Sequence, residues 1–184
     1  MSKEILNKII RNRKTIYPRD YLKKDIPDKT INEILNNANH APTHRMTQPW
    51  FFKVYKKGSK KKLISIINSI DETKLSKIKL DKFIQKVNDS NVVISIFMSR
   101  DKSNRLPEWE EIAAVSMAVQ NMWLSCYVNN IGSYWSTPSF AEEYGKSINL
   151  NNNQSSLGFF FMGTFNHQES IKRRDNIDTK VEWI

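Results

Sequence analysis

The sequence from residue 40 to residue 52 reads HAPTHRMTQPWFF and contains two prolines, two histidines and three aromatic residues. Proline disfavours helix in the residue before it, so Pro42 predicts that an incoming helix ends near His40. We expect an extended chain from there to Pro49 and a strand from Trp50 onward. The polar side chains between the prolines could surround a planar polar ligand. The alternative is an ordinary surface loop that leads into a core strand.

Two helices are predicted before this stretch. Apolar residues at helical spacing predict an amphipathic helix over residues 3–12. A second helix is expected to start at Pro27-Asp28, with Asp28 as its N-cap, and to deliver the chain to His40. Between the two helices, Arg11 to Thr15 provide cations and a hydroxyl that suit a phosphate. A basic helix end, favoured by the helix dipole, is an equally good interpretation of that segment.

The chain after residue 49 alternates between apolar strand patterns and helical patterns. Strands are predicted over residues 50–55, 92–98, 131–135 and 156–163, and helices over residues 60–70, 73–87, 108–130 and 140–146. The segment 92–98 is nearly all apolar, as expected of a central strand covered on both faces. Gly132 is expected to end the long helix. That helix is apolar around most of its circumference, which favours burial between two subunits.

Length, charge and hydropathy limit the class of protein. A chain of 184 residues fits a single domain over residues 1–184. No apolar run is long enough to span a membrane and no signal peptide opens the chain, so we expect a cytoplasmic protein. The net charge is 29 minus 19, or +10, and nucleic acid must therefore be considered. The charge is dispersed, however, and the densest run, Lys53 to Lys62, is typical of a solvated face.

The residue types argue against a disulfide, a metal site and a glycine-rich nucleotide-binding motif. One cysteine, Cys126, excludes an internal disulfide and every multi-cysteine metal site, and its apolar neighbours predict a buried, unreactive thiol. His40 and His44 are four residues apart, but Pro42 between them and the lack of a following glutamate argue against zinc. We expect no metal. With only five glycines, neither a phosphate-binding glycine loop nor a dinucleotide fingerprint is possible, so side chains must hold any nucleotide-like ligand.

Short motifs follow one another in a family-specific order. They are Arg13-Lys14-Thr15, Ala41-Pro42-Thr43-His44, Gln48-Pro49-Trp50, Pro107-Glu108-Trp109-Glu110, the segment Gly132 to Thr137 and the segment Gly158 to Gly163. Each motif alone is weak, but their order and spacing together are specific. By these motifs the chain resembles the FMN-dependent nitroreductase family over nearly its whole length, and most of all the small bacterial members.

The resemblance implies an α+β fold, with a central, mainly antiparallel sheet flanked by helices, in an intertwined homodimer built on the long helix. One FMN would lie at each of two sites between the subunits. The residues that match the family's cofactor-binding positions are Arg13, Lys14, Thr15 and Arg174 for the phosphate and ribityl end, with Lys172 as a further candidate, Trp135, Ser136 and Thr137 for the flavin ring, and His40, His44 and Gln48 from the other subunit.

Four positions depart from the family pattern. Lys14 for arginine and Thr15 for serine keep the donor chemistry, whereas the other two change it. Tyr17 stands where longer members have a cation near the flavin pyrimidine, and Met46 stands where many members have an asparagine that reaches the ring. Both changes could lower the flavin potential, because positive charge and donors near N1 stabilise the reduced anion.

The resemblance implies hydride transfer from NADH or NADPH through FMN to a small electron-poor acceptor such as a nitroaromatic or a quinone. The flavin performs the redox chemistry, so no catalytic side chain is expected. The same fold with another flavin chemistry, dehalogenation or ene reduction, stays open. A basic nucleic-acid-binding module, suggested by the charge and by the clusters Arg11 to Lys14 and Lys172 to Arg174, is the alternative from another class.

Overall fold

The protein is described by a computed structural model that covers residues 2–71, 73, 75–166 and 174–184. The helices are α1 (Lys3–Asn12), α2 (Asp28–Asn39), α3 (Lys60–Asn68), α4 (Lys77–Asp89), α5 (Glu108–Val128) and α6 (Ala141–Ser147). The strands are β1 (Tyr21–Leu22), β2 (Trp50–Lys56), β3 (Val92–Ser99), β4 (Ile131–Ser136) and β5 (Gln154–Phe165). Each predicted helix and strand is present with its ends shifted by a few residues. Among the strands and α-helices of the described residues, the short β1 was not predicted.

The strands form one antiparallel sheet. Its order is β1-β5-β3-β2, and β4 also pairs with β5. The long β5 is therefore the centre of the sheet: it pairs with β3 from Val92↔Met162 to Ser99↔Gln154 and with β4 from Ile131↔Thr164 to Ser136↔Phe159. An antiparallel sheet with helices on its faces is the α+β arrangement that the resemblance implied, and that prediction is confirmed.

Strand β3 separates two apolar cores because its side chains alternate between the faces of the sheet. Ile94 and Ile96 belong to the core beneath α2 and α5, together with Phe160 of β5. Val93 and Phe97 belong to the core beneath α3, α4 and α6. All residues of β3 except Ser99 are buried, which confirms the prediction of a central strand covered on both faces.

Helix α5 is buried on only one side. Ala114, Val115, Ala118 and Met122 are buried in the core against α2 and the sheet. On its other side, Trp109 is 67% exposed and Val128 is 58% exposed. Across the described ranges, no helix combines the length and the apolar character that a membrane span requires.

The loop between α2 and β2 differs from the extended chain that we expected. Residues His44–Met46 form a 3-10 turn, and the φ angles of Arg45, Met46 and Gln48 are 52°, 54° and 46°. Left-handed backbone is uncommon for residues other than glycine, so the residue types gave no signal for it. Thr43 holds the loop compact: its Oγ1 accepts from the backbone N–H of Gln48 at 3.1 Å and lies 3.1 Å from Thr47 Oγ1.

Two cap predictions were also wrong. Pro27 occupies the N-cap position of α2, and the Asp28 carboxylate instead lies 2.7 Å from Lys56 Nζ. Helix α5 ends at Val128, and the left-handed residue that follows it is Asn130, with φ of 53°. Gly132 lies within β4, where an added Cβ would approach Ile16 Cβ to 2.9 Å. Residue 132 is a glycine because Ile16 of the same chain packs closely against it, and not because a helix ends there.

Candidate functional site

The basic segment after α1 lies along the sheet. The Arg13 N–H closes α1 by donating to Ile9 O, and the Ile16 N–H donates to Ser133 O of β4 at 3.1 Å. The Tyr21 hydroxyl lies 2.9 Å from Ile16 O and 3.1 Å from Phe161 O, and it can donate to either carbonyl. These bonds fix Arg13-Lys14-Thr15 beside the strand that carries Trp135 and Ser136.

Arg13 stands in a partly buried, positively charged environment. Its guanidinium lies 4.8 Å from the centre of the Trp123 ring. Burial lowers the pKa of Arg13, and the positive charge of Arg174 lowers that pKa further. Within the described residues, neither guanidinium forms an ion pair with a carboxylate. A phosphate would offset the positive charge of both side chains.

The residues predicted to line the flavin ring follow directly along β4. Trp135 packs against the core and its Nε1 donates to Leu157 O at 2.9 Å. Ser136 is buried, whereas Thr137 is exposed. Gly158 adopts φ of +97°, and a Cβ there would come within 2.3 Å of Ser136 O. The glycine of the Gly158 to Gly163 motif therefore allows β5 to lie directly against the predicted ring-binding segment.

The second group of predicted residues lies in the loop before β2. His44 Nδ1 is 2.7 Å from Glu110 Oε2 of α5. Together with Pro42, Thr43, Trp109 and Met117, this pair lines a cleft of about 330 Å³. His40 and Gln48 are exposed on the same loop. His44 contacts Glu110 of α5, whereas Arg13 contacts Trp123 of the same helix, 13 residues further on, so the two groups of one chain lie about 20 Å apart along α5.

Helix α4 lines a cleft for which the sequence motifs named no residue. The cleft has a volume of about 730 Å³ and lies beside Tyr17, and it is lined by Arg19, by Lys82, Gln85 and Lys86, and by the carboxylates of Asp81 and Asp89. Arg19 Cζ lies 5.7 Å from the centre of the Tyr17 ring. Lys86 Nζ lies 5.2 Å from the centre of the Tyr134 ring. Cations therefore stand beside Tyr17 even though position 17 itself carries none. Only tertiary packing brings α4 here, and no motif in the sequence marks it.

Three lysines of the densest basic run have partners within the chain. Lys56 lies 3.2 Å from Asp25 and Lys57 lies 3.1 Å from the same carboxylate. Lys60 Nζ donates to Ser90 O at 2.6 Å and to Val87 O at 3.0 Å. These lysines therefore hold neighbouring elements together. In the second basic cluster, Lys172 and Arg173 lie outside the described residues.

Cys126 is buried, as predicted. Its side chain has no exposure, and burial raises the pKa of the thiol to about 12. A neutral thiol is a poor nucleophile, so Cys126 is part of the core rather than of the site.

Comparison with known proteins gives a consistent assignment. The model of the nitroreductase family matches residues 10–164. YfhC of Bacillus subtilis, provisionally named an NAD(P)H nitroreductase, is 25% identical over 179 residues, which are 94% of this chain and 91% of that protein. A nitroreductase-like family protein from Bacillus cereus has a TM-score of 0.85 at 25% identity, with 100% of this chain and 97% of that chain covered.

A solved structure with a bound cofactor also matches. It is a protein from Desulfovibrio desulfuricans, provisionally named a nitroreductase, in complex with FMN. Its TM-score is 0.76 at 21% identity, and the match covers 100% of this chain and 99% of that chain. At this identity the likeness shows the fold. The family model, in contrast, matches most of the sequence, including the strands and helices that carry both groups of site residues. The chain therefore belongs to the nitroreductase family.

Proposed function

We propose that this protein is an FMN-dependent oxidoreductase that passes hydride from NADH or NADPH through the flavin to a small electron-poor acceptor, such as a nitroaromatic or a quinone. The observation that carries the proposal is the Arg13 guanidinium, which lies partly buried with its Cζ 4.8 Å from the centre of the Trp123 ring and pairs with no carboxylate among the described residues. Family membership, the name of the Bacillus subtilis relative and the FMN complex of the Desulfovibrio protein support it.

The residues of one chain would hold the phosphate end and one side of the ring. Arg13, Lys14, Thr15 and Arg174 would bind the phosphate and ribityl end, and Trp135, Ser136 and Thr137 would line the isoalloxazine. His40, His44 and Gln48 of a second subunit would complete the site. Because these two groups line different places on one chain, a single FMN can contact both only if two subunits meet.

Unpartnered apolar surface supports such a homodimer. Helix α1 has no buried residue, and Ile5 and Ile10 on its apolar stripe are 50% and 49% exposed. Trp109 on α5 and Trp183 near the C-terminus are also exposed, at 67% and 93%. Exposed apolar residues on an amphipathic helix and on the outer side of α5 indicate a surface that another protein covers. A second copy of the chain fits, because it would also bring the His44 loop to the Arg13 segment.

The flavin, when bound, supplies the hydride chemistry, and the protein supplies position and electrostatics. Arg13 and Arg174 would neutralise the phosphate. The cleft beside Tyr17 carries charges of both signs, from Arg19, Lys82 and Lys86 and from Asp81 and Asp89. Such chemistry needs no side chain as a proton or hydride carrier.

Anaerobic reduction tests the proposal. The FMN-loaded protein should lose its flavin absorbance when NADH or NADPH is added, and addition of a nitroaromatic or a quinone should restore it. Reoxidation only by a halogenated aromatic or by an activated alkene would favour dehalogenation or ene reduction instead. A protein that binds no FMN and binds DNA or RNA with a steep dependence on salt would contradict the proposal and favour the nucleic-acid alternative.

A further inference from the structure

Trp123 of α5 has an unusual environment. Its ring meets Phe160 edge to face, with the ring centres 5.7 Å apart and the planes at 90°. Its Nε1 is buried, and no hydrogen-bond acceptor for it is present in the part of the chain that the structure describes. Buried tryptophans usually bond their N–H to an acceptor, because an unpaired buried donor is costly. Hydrogen bonding therefore does not explain why an indole stands here.

The face of the same ring has a partner. The Arg13 guanidinium lies over it, with Cζ 4.8 Å from the ring centre. Arg13 is partly withdrawn from water and feels the like charge of Arg174, and both effects disfavour its charged form. A cation over an indole face is attracted by the ring quadrupole, and the attraction is larger where water is excluded. The contact with Trp123 thus opposes the two effects that would drive Arg13 away from this position.

We propose that Trp123 is a positioning residue that holds the Arg13 guanidinium ready to bind the phosphate of FMN. A guanidinium that stacks through its flat face keeps its N–H groups at the edge, free to donate two parallel hydrogen bonds to phosphate oxygens. This inference rests on the proposed function and adds a residue to that site. If it is correct, the Trp123 ring increases the affinity only for ligands that carry a phosphate, and it does so only when Arg13 is present.

Binding of FMN and of riboflavin by the apo protein, followed by flavin fluorescence, separates this role from simple packing. Trp123→Leu should weaken FMN binding about tenfold and leave riboflavin binding unchanged, because riboflavin has no phosphate. Trp123→Phe keeps an aromatic face and removes the unpaired N–H, so it should bind FMN within about threefold of the wild type. Equal losses for FMN and riboflavin in the leucine variant would overturn the inference.

A double-mutant cycle tests the route through Arg13. In an Arg13→Ala background, Trp123→Leu should have no further effect on FMN binding, whereas a purely structural role would weaken binding by the same factor in both backgrounds. If the leucine variant does not fold, Trp123→Met, which keeps more of the side-chain volume but has no aromatic face, replaces it in both backgrounds of the cycle.

The outcomes also separate this inference from the proposed function. A wild-type protein that binds no FMN would refute the proposed function. A wild-type protein that binds FMN tightly, with a folded Trp123→Leu variant that binds it equally well, would refute only the role of Trp123.

Discussion

His44 and Glu110 are joined by a 2.7 Å contact between Nδ1 and Oε2, although they are 66 residues apart in the sequence. Glu110 belongs to the first turn of α5, where a carboxylate is also favoured by the helix dipole. The contact sets the orientation of the imidazole ring and leaves Nε2 on the side away from Glu110. The cleft formed by the loop and α5 thus has a histidine in one fixed orientation.

Removal of the Glu110 carboxylate should lower the affinity of the proposed site for FMN. In Glu110→Ala, His44 loses its partner, and we expect FMN binding to weaken by a few-fold, because the pair is partly exposed and a hydrogen bond of this kind contributes about 1 kcal/mol. Fluorescence titration with FMN would measure the loss. Glu108→Ala, an exposed carboxylate in the same turn, is the matched control. Equal affinities of Glu110→Ala and the wild type would show that His44 needs no orientation by Glu110.

A charge on the apolar stripe of α1 should prevent dimerisation. Ile10 is 49% exposed in the single chain, and Ile10→Asp would place a carboxylate in the proposed subunit interface. We expect a monomer that retains no FMN, because each site needs both subunits. Sedimentation and the flavin-to-protein absorbance ratio would report both properties. Ile78→Asp on α4, where the isoleucine is 69% exposed, should stay dimeric. A dimeric, flavin-loaded Ile10→Asp protein would disprove the interface.

The turn between β3 and α5 depends on a buried carboxylate. Glu111 has no side-chain exposure and accepts hydrogen bonds from Arg100 Nε at 3.1 Å and from the Asp101 N–H at 2.9 Å. Glu111→Ala removes the only carboxylate that pairs with Arg100 among the described residues and leaves the Asp101 N–H without its acceptor, so it should lower the free energy of unfolding by about 3 kcal/mol in urea denaturation. The exposed Glu108→Ala should change it by less than about 0.5 kcal/mol. Similar stabilities of the two variants would show that the Glu111 contacts contribute little.

The Tyr21 hydroxyl anchors the segment that follows the phosphate ligands. Burial raises the pKa of this hydroxyl well above its ordinary value, so it remains a hydrogen-bond donor at neutral pH. Tyr21→Phe leaves the carbonyls of Ile16 and Phe161 without this donor and should lower the free energy of unfolding by about 1 to 2 kcal/mol.

The control for that variant is Tyr17→Phe. Tyr17 is 46% exposed, so loss of its hydroxyl should leave the unfolding free energy within about 0.5 kcal/mol of the wild type. In chemical denaturation, a Tyr21→Phe protein as stable as Tyr17→Phe would contradict the anchoring role.

The sequence predicted the framework of the fold because that framework follows from local patterns. The apolar run Val92 to Met98 identified the central strand, and Pro107 with the long apolar pattern after it identified α5. The motif Gly158 to Gly163 coincides with the part of β5 that lies against β4, where close backbone approach requires a glycine at position 158. In these segments a local signal and the tertiary structure agree.

The remaining features depend on interactions between distant segments, and the residue types alone do not encode them. Arg45 and Met46 adopt left-handed backbone that their types disfavour, and Asp28 bonds Lys56 from another element rather than its own helix end. The contact of Arg13 with Trp123 and the position of Lys86 beside Tyr134 likewise join residues far apart in the chain. For this reason the Arg13 segment was identifiable as a phosphate-binding candidate, whereas Trp123 and Lys86 were not.

The central claim is that two chains bind two molecules of FMN through Arg13 and its neighbours. The most direct measurement is the flavin absorbance spectrum of the protein after incubation with excess FMN and removal of free flavin by gel filtration, together with the same measurement on Arg13→Ala. We predict one FMN per chain in a wild-type dimer and little or no retained flavin in a variant that is still folded. A colourless wild-type protein, or equal FMN occupancy in Arg13→Ala, would contradict the account.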